Sequence, residues 1–335
     1  MAEMGTRLVF TAANQATMEK FDIPDPGEGQ LLIETECSLI SLGTELFWYT
    51  GEHTFFKDGT WTYPFHSGYS NVARIKAVGS EVKGYQVGDR VFTLSPHTSH
   101  HLVDSDSADI YPVPEGVDSE SAAFTALGWV ALHGAKTANL SLGESVLIIG
   151  QGLVGQLALR VARLSGAGPI VVVDSRLKRL EWSAEGGPDA AFPADDPELD
   201  AKVKETVGND GAEVVLDTTG NPAALKSALR LAAPRGRVVV LGSPHGTVEL
   251  DLYRDIHRRQ LRILGAYQPA APEEATPYYH WSRGRICRLM LELIDKGDLD
   301  PKIFITRRRP SEEAPKIFAD LARERSNDLG VVLKW

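Results

Sequence analysis

A chain of 335 residues, 43% apolar and 24% charged, is long enough for two folded domains or one elaborated domain, and has the composition of an ordinary soluble globular protein. Its net charge of −10, with no basic domain, excludes nucleic acid as the main partner. No apolar run approaches bilayer length, the first residues lack a signal-peptide core, and Cys37 and Cys287 are the only cysteines, so no membrane partner, no disulfide framework and a cytoplasmic location are expected.

Residues 1–120 read as β-rich. Short apolar runs at 7–10, 31–35, 70–76 and 90–94 are separated by breaks such as Asp25-Pro-Gly-Glu-Gly29 and Val87-Gly-Asp89. That texture predicts a small barrel. Ser119 is the expected N-cap of the next helix, with acids in its first turn. From Ser145 the texture changes. Apolar strands over 145–150, 169–174, 189–192, 212–218, 236–242 and 261–267 alternate with helices over 153–165, 176–186, 197–207 and 222–233. The alternation predicts a doubly wound, Rossmann-type parallel sheet covered by helices on both faces, so 121–267 is read as one domain.

After Tyr267 the alternation stops at Pro269-Ala-Ala-Pro272. Helices over 282–296 and 311–324 and a strand over 331–335 make residues 268–335 a tail too short to fold alone, expected to rejoin the N-terminal domain. Arg307-Arg308-Arg309 is read as a solvated surface turn. The apolar edge strand near Leu261–Tyr267 is expected to pair with its copy in a homodimer.

One motif in this stretch carries chemistry. An apolar run ends in Gly150-Gln-Gly152-Leu153-Val154-Gly155, a helix-compatible segment follows, and a second apolar run ends in Asp174, 19 positions after Gly155. This is close to the spacing of a dinucleotide-binding βαβ unit. Gly150 makes the tight turn, Gly152 admits a pyrophosphate, and Gly155 lets helix and strand approach, with the helix N-terminus facing the anion. Asp174 accepts from ribose hydroxyls and repels a 2′-phosphate, which favours NAD over NADP. Ser175, Arg176 and Arg179 follow it. The arginines either flank the adenine or tolerate a 2′-phosphate.

A β-rich first domain, a central dinucleotide fold, a returning tail and the segment Gly79-Ser-Glu-Val-Lys-Gly-Tyr-Gln-Val-Gly-Asp-Arg-Val91 together resemble the medium-chain dehydrogenase/reductase superfamily. Leu42-Gly43-Thr44-Glu45 stands where that family carries Cys-Gly-Thr-Asp, and Gly68-Tyr69-Ser70 where it carries Gly-His-Glu. The Gly-Thr-Glu, Gly-Tyr-Ser and Ser95-Pro-His97 pieces are most similar to the group containing bacteriochlorophyllide dehydrogenase. The resemblance implies a GroES-like catalytic domain and NAD(P)-dependent hydride transfer at a C–OH/C=O centre of a small-molecule substrate, one that is activated or large for its class. It also implies ribose and nicotinamide contacts at Thr218, Thr219, Gly242 and Ser243, whose alternative is ordinary turn chemistry.

The departures carry as much information. Zinc members hold their metal through two Cys and a His, whereas the matching positions here are Leu42, Tyr69 and Ala126. Leu and Ala offer no lone pair and a phenol is a rare zinc ligand, so a zinc-independent member with no metal is expected. Without the metal, several kcal/mol of oxyanion stabilisation must come from elsewhere. The candidates are Thr44 and the Tyr69 phenol as donors to the substrate oxygen, Glu45 behind them to orient Tyr69, and His66 or His97 as a proton carrier. His66, His97, His100 and His101 are also weighed as a new metal site. Trp48, Tyr49, Phe55 and Phe56, and the second cluster Tyr278–Arg283, are candidate walls of a substrate pocket, with core packing as the alternative. Two other functions remain open: reduction of activated C=C bonds, as in the quinone-oxidoreductase branch, and nucleotide binding without catalysis.

Overall fold

In its first part the chain builds strands wherever apolar side chains alternate or run together. The computed structural model describes residues 4–208, 210–324 and 328–335. Strands β1 (Met4–Ala12) and β2 (Gln15–Asp22) form an antiparallel hairpin whose tight turn holds Asn14 at φ 61°, a left-handed conformation that Asn tolerates. Then come β3 (Gln30–Ile40), α1 (Thr44–Thr50), α2 (Thr54–Lys57), β4 (Asn71–Val78), β5 (Arg90–Thr93), β6 (His100–Asp104), β7 (Ile110–Pro112) and α3 (Ser119–Ala122). The N-cap of α3 is Asp118, not Ser119: the Asp118 carboxylate accepts from Ser121 N, while the Ser119 hydroxyl donates to Glu36.

Helix α4 (Thr125–Thr137) leads into the second unit. There β8 (Val146–Ile149), α5 (Leu153–Leu164), β9 (Ile170–Asp174), α6 (Leu177–Ser183), β10 (Ala190–Pro193), α7 (Leu199–Val207), β11 (Ala212–Asp217), α8 (Ala224–Leu231), β12 (Ala232–Val240) and β13 (Arg262–Gly265) alternate as the apolar runs require. The six strands are all parallel in the order β10-β9-β8-β11-β12-β13. This is the doubly wound order, with its switch point between β8 and β11. Every residue of β8 is buried, as a strand covered on both faces must be. One face of the sheet packs Leu147, Val171 and Val215 against Val203 of α7 and Leu229 of α8.

The chain then returns through α9 (Arg283–Asp295), β14 (Ile305–Pro310), α10 (Ala314–Glu324) and β15 (Gly330–Lys334). A mainly antiparallel seven-stranded sheet results, in the order β14-β15-β3-β4-β5-β7, with β6 also on β3. Its core includes Leu8, Phe10, Ile40, Phe318 and Val331. Arg307, Arg308 and Arg309 lie in β14 and not in a turn. They form an edge strand whose guanidinium groups meet Asp328 at 2.6 Å, Glu120 at 2.9 Å and Glu313 at 3.7 Å. Charged side chains on an edge strand discourage further pairing.

The compact units are Met1–Ala126 with Ser282–Trp335, and Leu127–Trp281. These divisions fall beyond the sequence boundaries at 120 and 267, for two reasons. Helix α3 packs on β3 and β4. Residues up to 281 are tied to α4, because Tyr279 Oη lies 2.6 Å from His133 Nδ1 and Lys136 sits 4.0 Å over the Trp281 ring. Among the described residues no helix is long and apolar enough to cross a membrane.

Candidate functional site

In the second unit the glycine turn is shaped by close approach. Gly150, at φ 93°, leaves β8, and a β-carbon there would lie 2.8 Å from Thr218 Oγ1. A β-carbon on Gly155 would lie 2.0 Å from Gly150 O, so α5 reaches the strand only because residue 155 has no side chain. Gly152 caps α5 without a side-chain bond to the first-turn amides, which leaves donors facing outward from the helix.

Asp174 ends β9, 5% exposed, and ties the turn together. Its Oδ2 accepts from Gln151 N at 2.6 Å and its Oδ1 from Arg176 N at 2.8 Å. Arg179 Nη1 lies 3.8 Å from the same carboxylate and 3.7 Å from where a Gly152 β-carbon would sit, and its buried Nε has no partner. Burial lowers the Arg179 pKa and Asp174 opposes that shift. Thr218 Oγ1 donates to Gly150 O at 2.9 Å, and Asp217 accepts from Thr219 N at 3.0 Å and Thr219 Oγ1 at 2.7 Å. Burial raises the Asp217 pKa against those two bonds. A Gly242 β-carbon would stand 2.4 Å from Gly220 N, and exposed Ser243 follows. Leu153 points into the core, Val154 is half-buried and Ser175 is exposed. The bare glycine cradle, the uncapped helix start and the unpartnered guanidinium nitrogen fit a dinucleotide.

In the first unit a polar cluster forms where β3 turns into α1. Thr44 is the first residue of that helix. Glu45 has no exposed surface: its Oε1 accepts from Ser41 N at 2.8 Å, and its Oε2 takes Ser67 Oγ at 2.6 Å and His97 Nε2 at 2.9 Å. Tyr69 is half-buried, with the Ser41 and Thr44 hydroxyls as its hydrogen-bonding neighbours. Burial, joined by the Glu45 charge, pushes its phenol up to about 12. Glu45 therefore acts on Tyr69 through charge and through Ser41 and Ser67, not through a bond to the phenol. His66 is exposed, with Arg7 and Glu19 as the charges acting on it, and no hydrogen bond links it to the cluster. The histidine that the structure brings in is His97.

The other candidates separate. His100 sits in β6 beside Ser99, Lys76 and Glu34, and burial lowers the His101 pKa. Among the described residues no three His, Cys, Asp or Glu side chains are grouped to hold a cation. Leu42 packs on the core, and Ala126 is fully buried. With Tyr69 these positions offer two hydrocarbon side chains and a phenol, a donor set that does not fit zinc. Tyr49 is core rather than a pocket wall: 3% exposed, it packs on Phe10 and Phe318 and donates to Asn14 O. Trp48 lies beside Tyr69 with ring centroids 5.7 Å apart, and Phe55 and Phe56 pack around Trp61.

Comparison with known proteins agrees with this anatomy. Residues 154–281 match the zinc-binding dehydrogenase family. The chain is 28% identical over 275 residues to D-guloside 3-dehydrogenase of Escherichia coli K12, spanning 80% of this chain and 77% of that one. It is 26% identical over 352 residues to L-threonine 3-dehydrogenase of Chromobacterium violaceum, 97% of each chain. A solved zinc-binding dehydrogenase of Sinorhizobium meliloti bound to NADP shares the fold with a TM-score of 0.84 at 22% identity, over 99% of this chain and 100% of that one. The chain is thus similar over residues 154–281 to zinc-binding dehydrogenases, and over 97% of its length to a named dehydrogenase. It is an oxidoreductase.

The turn geometry makes Gly155 the sharpest probe of the nucleotide site. Gly155→Ala is expected to weaken NADH and NADPH binding about tenfold or more, equivalent to at least ~1.4 kcal/mol, in a nicotinamide fluorescence titration.

Proposed function

We propose that this chain is a zinc-independent, nicotinamide-dependent dehydrogenase that moves hydride at a C–OH/C=O centre of a hydroxylated small molecule. Two of its relatives are named for oxidation at a hydroxyl, one of a guloside and one of threonine. The observation that carries the reading is the hydroxyl group of three: Ser41, Thr44 and a Tyr69 phenol kept protonated. It stands where zinc members of the superfamily place a ligand, beside a Leu42 that cannot be one. The similarity to the bacteriochlorophyllide dehydrogenase group belongs to the same reading.

The dinucleotide, when bound, supplies or accepts the hydride. The chain's own residues do the rest. The uncapped start of α5 and the glycine turn hold the pyrophosphate, and Asp174 and Arg179 face the adenosine side. In the reduction direction Tyr69 and Thr44 donate hydrogen bonds to the substrate oxygen as negative charge grows on it. A fixed donor of this kind is worth roughly 10²–10³ in kcat, or about 3–4 kcal/mol. With its pKa raised to about 12, Tyr69 stays protonated through the neutral and mildly alkaline range. It therefore works as a donor there and does not take a proton from the substrate.

Tyr69→Phe is expected to lower kcat by about 10²–10³ while nucleotide affinity holds, and dialysis against a chelator is expected to leave kcat intact. An unchanged kcat in the variant overturns the donor role; a stoichiometric zinc whose removal abolishes turnover overturns zinc independence. We read NAD as the preferred cofactor because Asp174 keeps a carboxylate at the ribose end of the turn, so calorimetry should give NADH the lower Kd of the two reduced nucleotides. Edge strand β13 leaves Ile263 39% exposed, and Tyr267, just beyond it, is 58% exposed. That unpaired edge supports a homodimer, to be checked by the mass in light scattering.

A further inference from the structure

His97 is buried completely in the first unit, yet it touches no reacting position. Four elements meet on it. Its backbone N donates to Ser67 O at 2.7 Å, and its carbonyl accepts from Leu8 N of β1 at 2.9 Å. On the ring, Nε2 lies 2.9 Å from Glu45 Oε2 and Nδ1 lies 2.8 Å from Ser38 Oγ of β3. Ser38 Oγ in turn accepts the indole N–H of Trp335 at 2.9 Å.

This row fixes the proton positions. An indole N–H only donates, so it occupies a lone pair of Ser38. The Ser38 proton then has one acceptor left, His97 Nδ1. That makes Nδ1 the acceptor and Nε2–H the donor to Glu45. A cationic ring would turn an N–H toward Ser38 and leave the hydroxyl proton without an acceptor in a site with no exposed surface, a costly arrangement. The same indole closes the row as a conduit. A proton entering from Glu45 finds no acceptor beyond Ser38, so the row cannot carry protons out.

What the row does hold is the turn before Tyr69. Glu45 takes the Ser67 hydroxyl, and His97 takes the Ser67 carbonyl. Gly68, at φ 110°, lies so close that a β-carbon would be 2.5 Å from His97 N and 2.8 Å from its ring. We propose that His97 is a positioning residue: its ring, locked as the Nε2–H tautomer between Ser38 and Glu45, fixes the 67–69 turn and so aims the Tyr69 phenol.

The proposal rests on the donor role of Tyr69, and it is tested without any substrate. ¹⁵N NMR of the labelled full chain should show the Nε2–H tautomer of His97 at neutral pH; an Nδ1–H tautomer or a cationic ring overturns the proposal. The Tyr69 phenol, assigned through Tyr69→Phe, is followed by ¹³Cζ NMR. In His97→Leu it should titrate about one pH unit or more lower, since the turn loosens and burial is lost. His97→Gln keeps a donor for Glu45 and an acceptor for Ser38, and should restore the original titration. An unchanged Tyr69 titration in a folded His97→Leu variant overturns positioning even if Tyr69→Phe is inactive, so the two readings fail separately. Should His97→Leu not fold, Ser38→Ala carries the test: with no hydrogen bond on Nδ1 the ring loosens and the Tyr69 titration should fall in the same direction, and an unchanged titration in that folded variant overturns positioning.

Discussion

A carboxylate with no exposed surface is the constraint around which the first unit is arranged. Burying Glu45 is tolerable only if each oxygen is met by a donor. The donors come from a backbone amide three residues ahead of α1, a hydroxyl on the 67–69 turn and an imidazole 52 positions along the chain. Satisfying one charge thus pins three separate segments at one point. The neighbouring phenol feels the same charge, which helps to keep its proton in place. Removing the acid would leave an imidazole N–H and a serine hydroxyl unpaired in the core, so its cost reaches well beyond one hydrogen bond.

The two units hold their functional groups by different means. In the nucleotide unit the devices are absences: residues without side chains at 155 and 242 let backbone pack on backbone, those at 150 and 152 keep the turn and the helix start bare, and the donors that face a ligand are main-chain amides. In the other unit they are presences, with side-chain hydroxyls backed by a buried acid. The first arrangement suits an anion common to every dinucleotide. The second suits an oxygen on a particular substrate, and here variation between relatives is expected to concentrate.

Legibility in the sequence followed the same division. The doubly wound sheet could be read because β8 and β9 carry continuous apolar runs and because Gly155 and Asp174 sit at a spacing set by one βαβ unit. Strands β2 and β14 could not. Gln15–Asp22 and Ile305–Pro310 are polar and half-exposed, and they are strands only because a partner pairs with them. That is a tertiary effect that no local pattern records. Thr44, Glu45 and Tyr69 were found through a motif resemblance. The Glu45–His97 contact has no periodic signature, so the sequence leaves His66 and His97 as equal candidates, and only the fold, which selects by contact, separates them.

The split of the first unit has a consequence for biosynthesis. Strand β15 lies between β14 and β3 in the seven-stranded sheet, and Trp335 closes the row behind His97. The second unit is complete once residue 281 has left the ribosome, whereas the first must wait for residues 282–335. Until then the 37–40 end of β3 has an open edge where β15 will insert, and that nascent stage is the one most in need of chaperone cover.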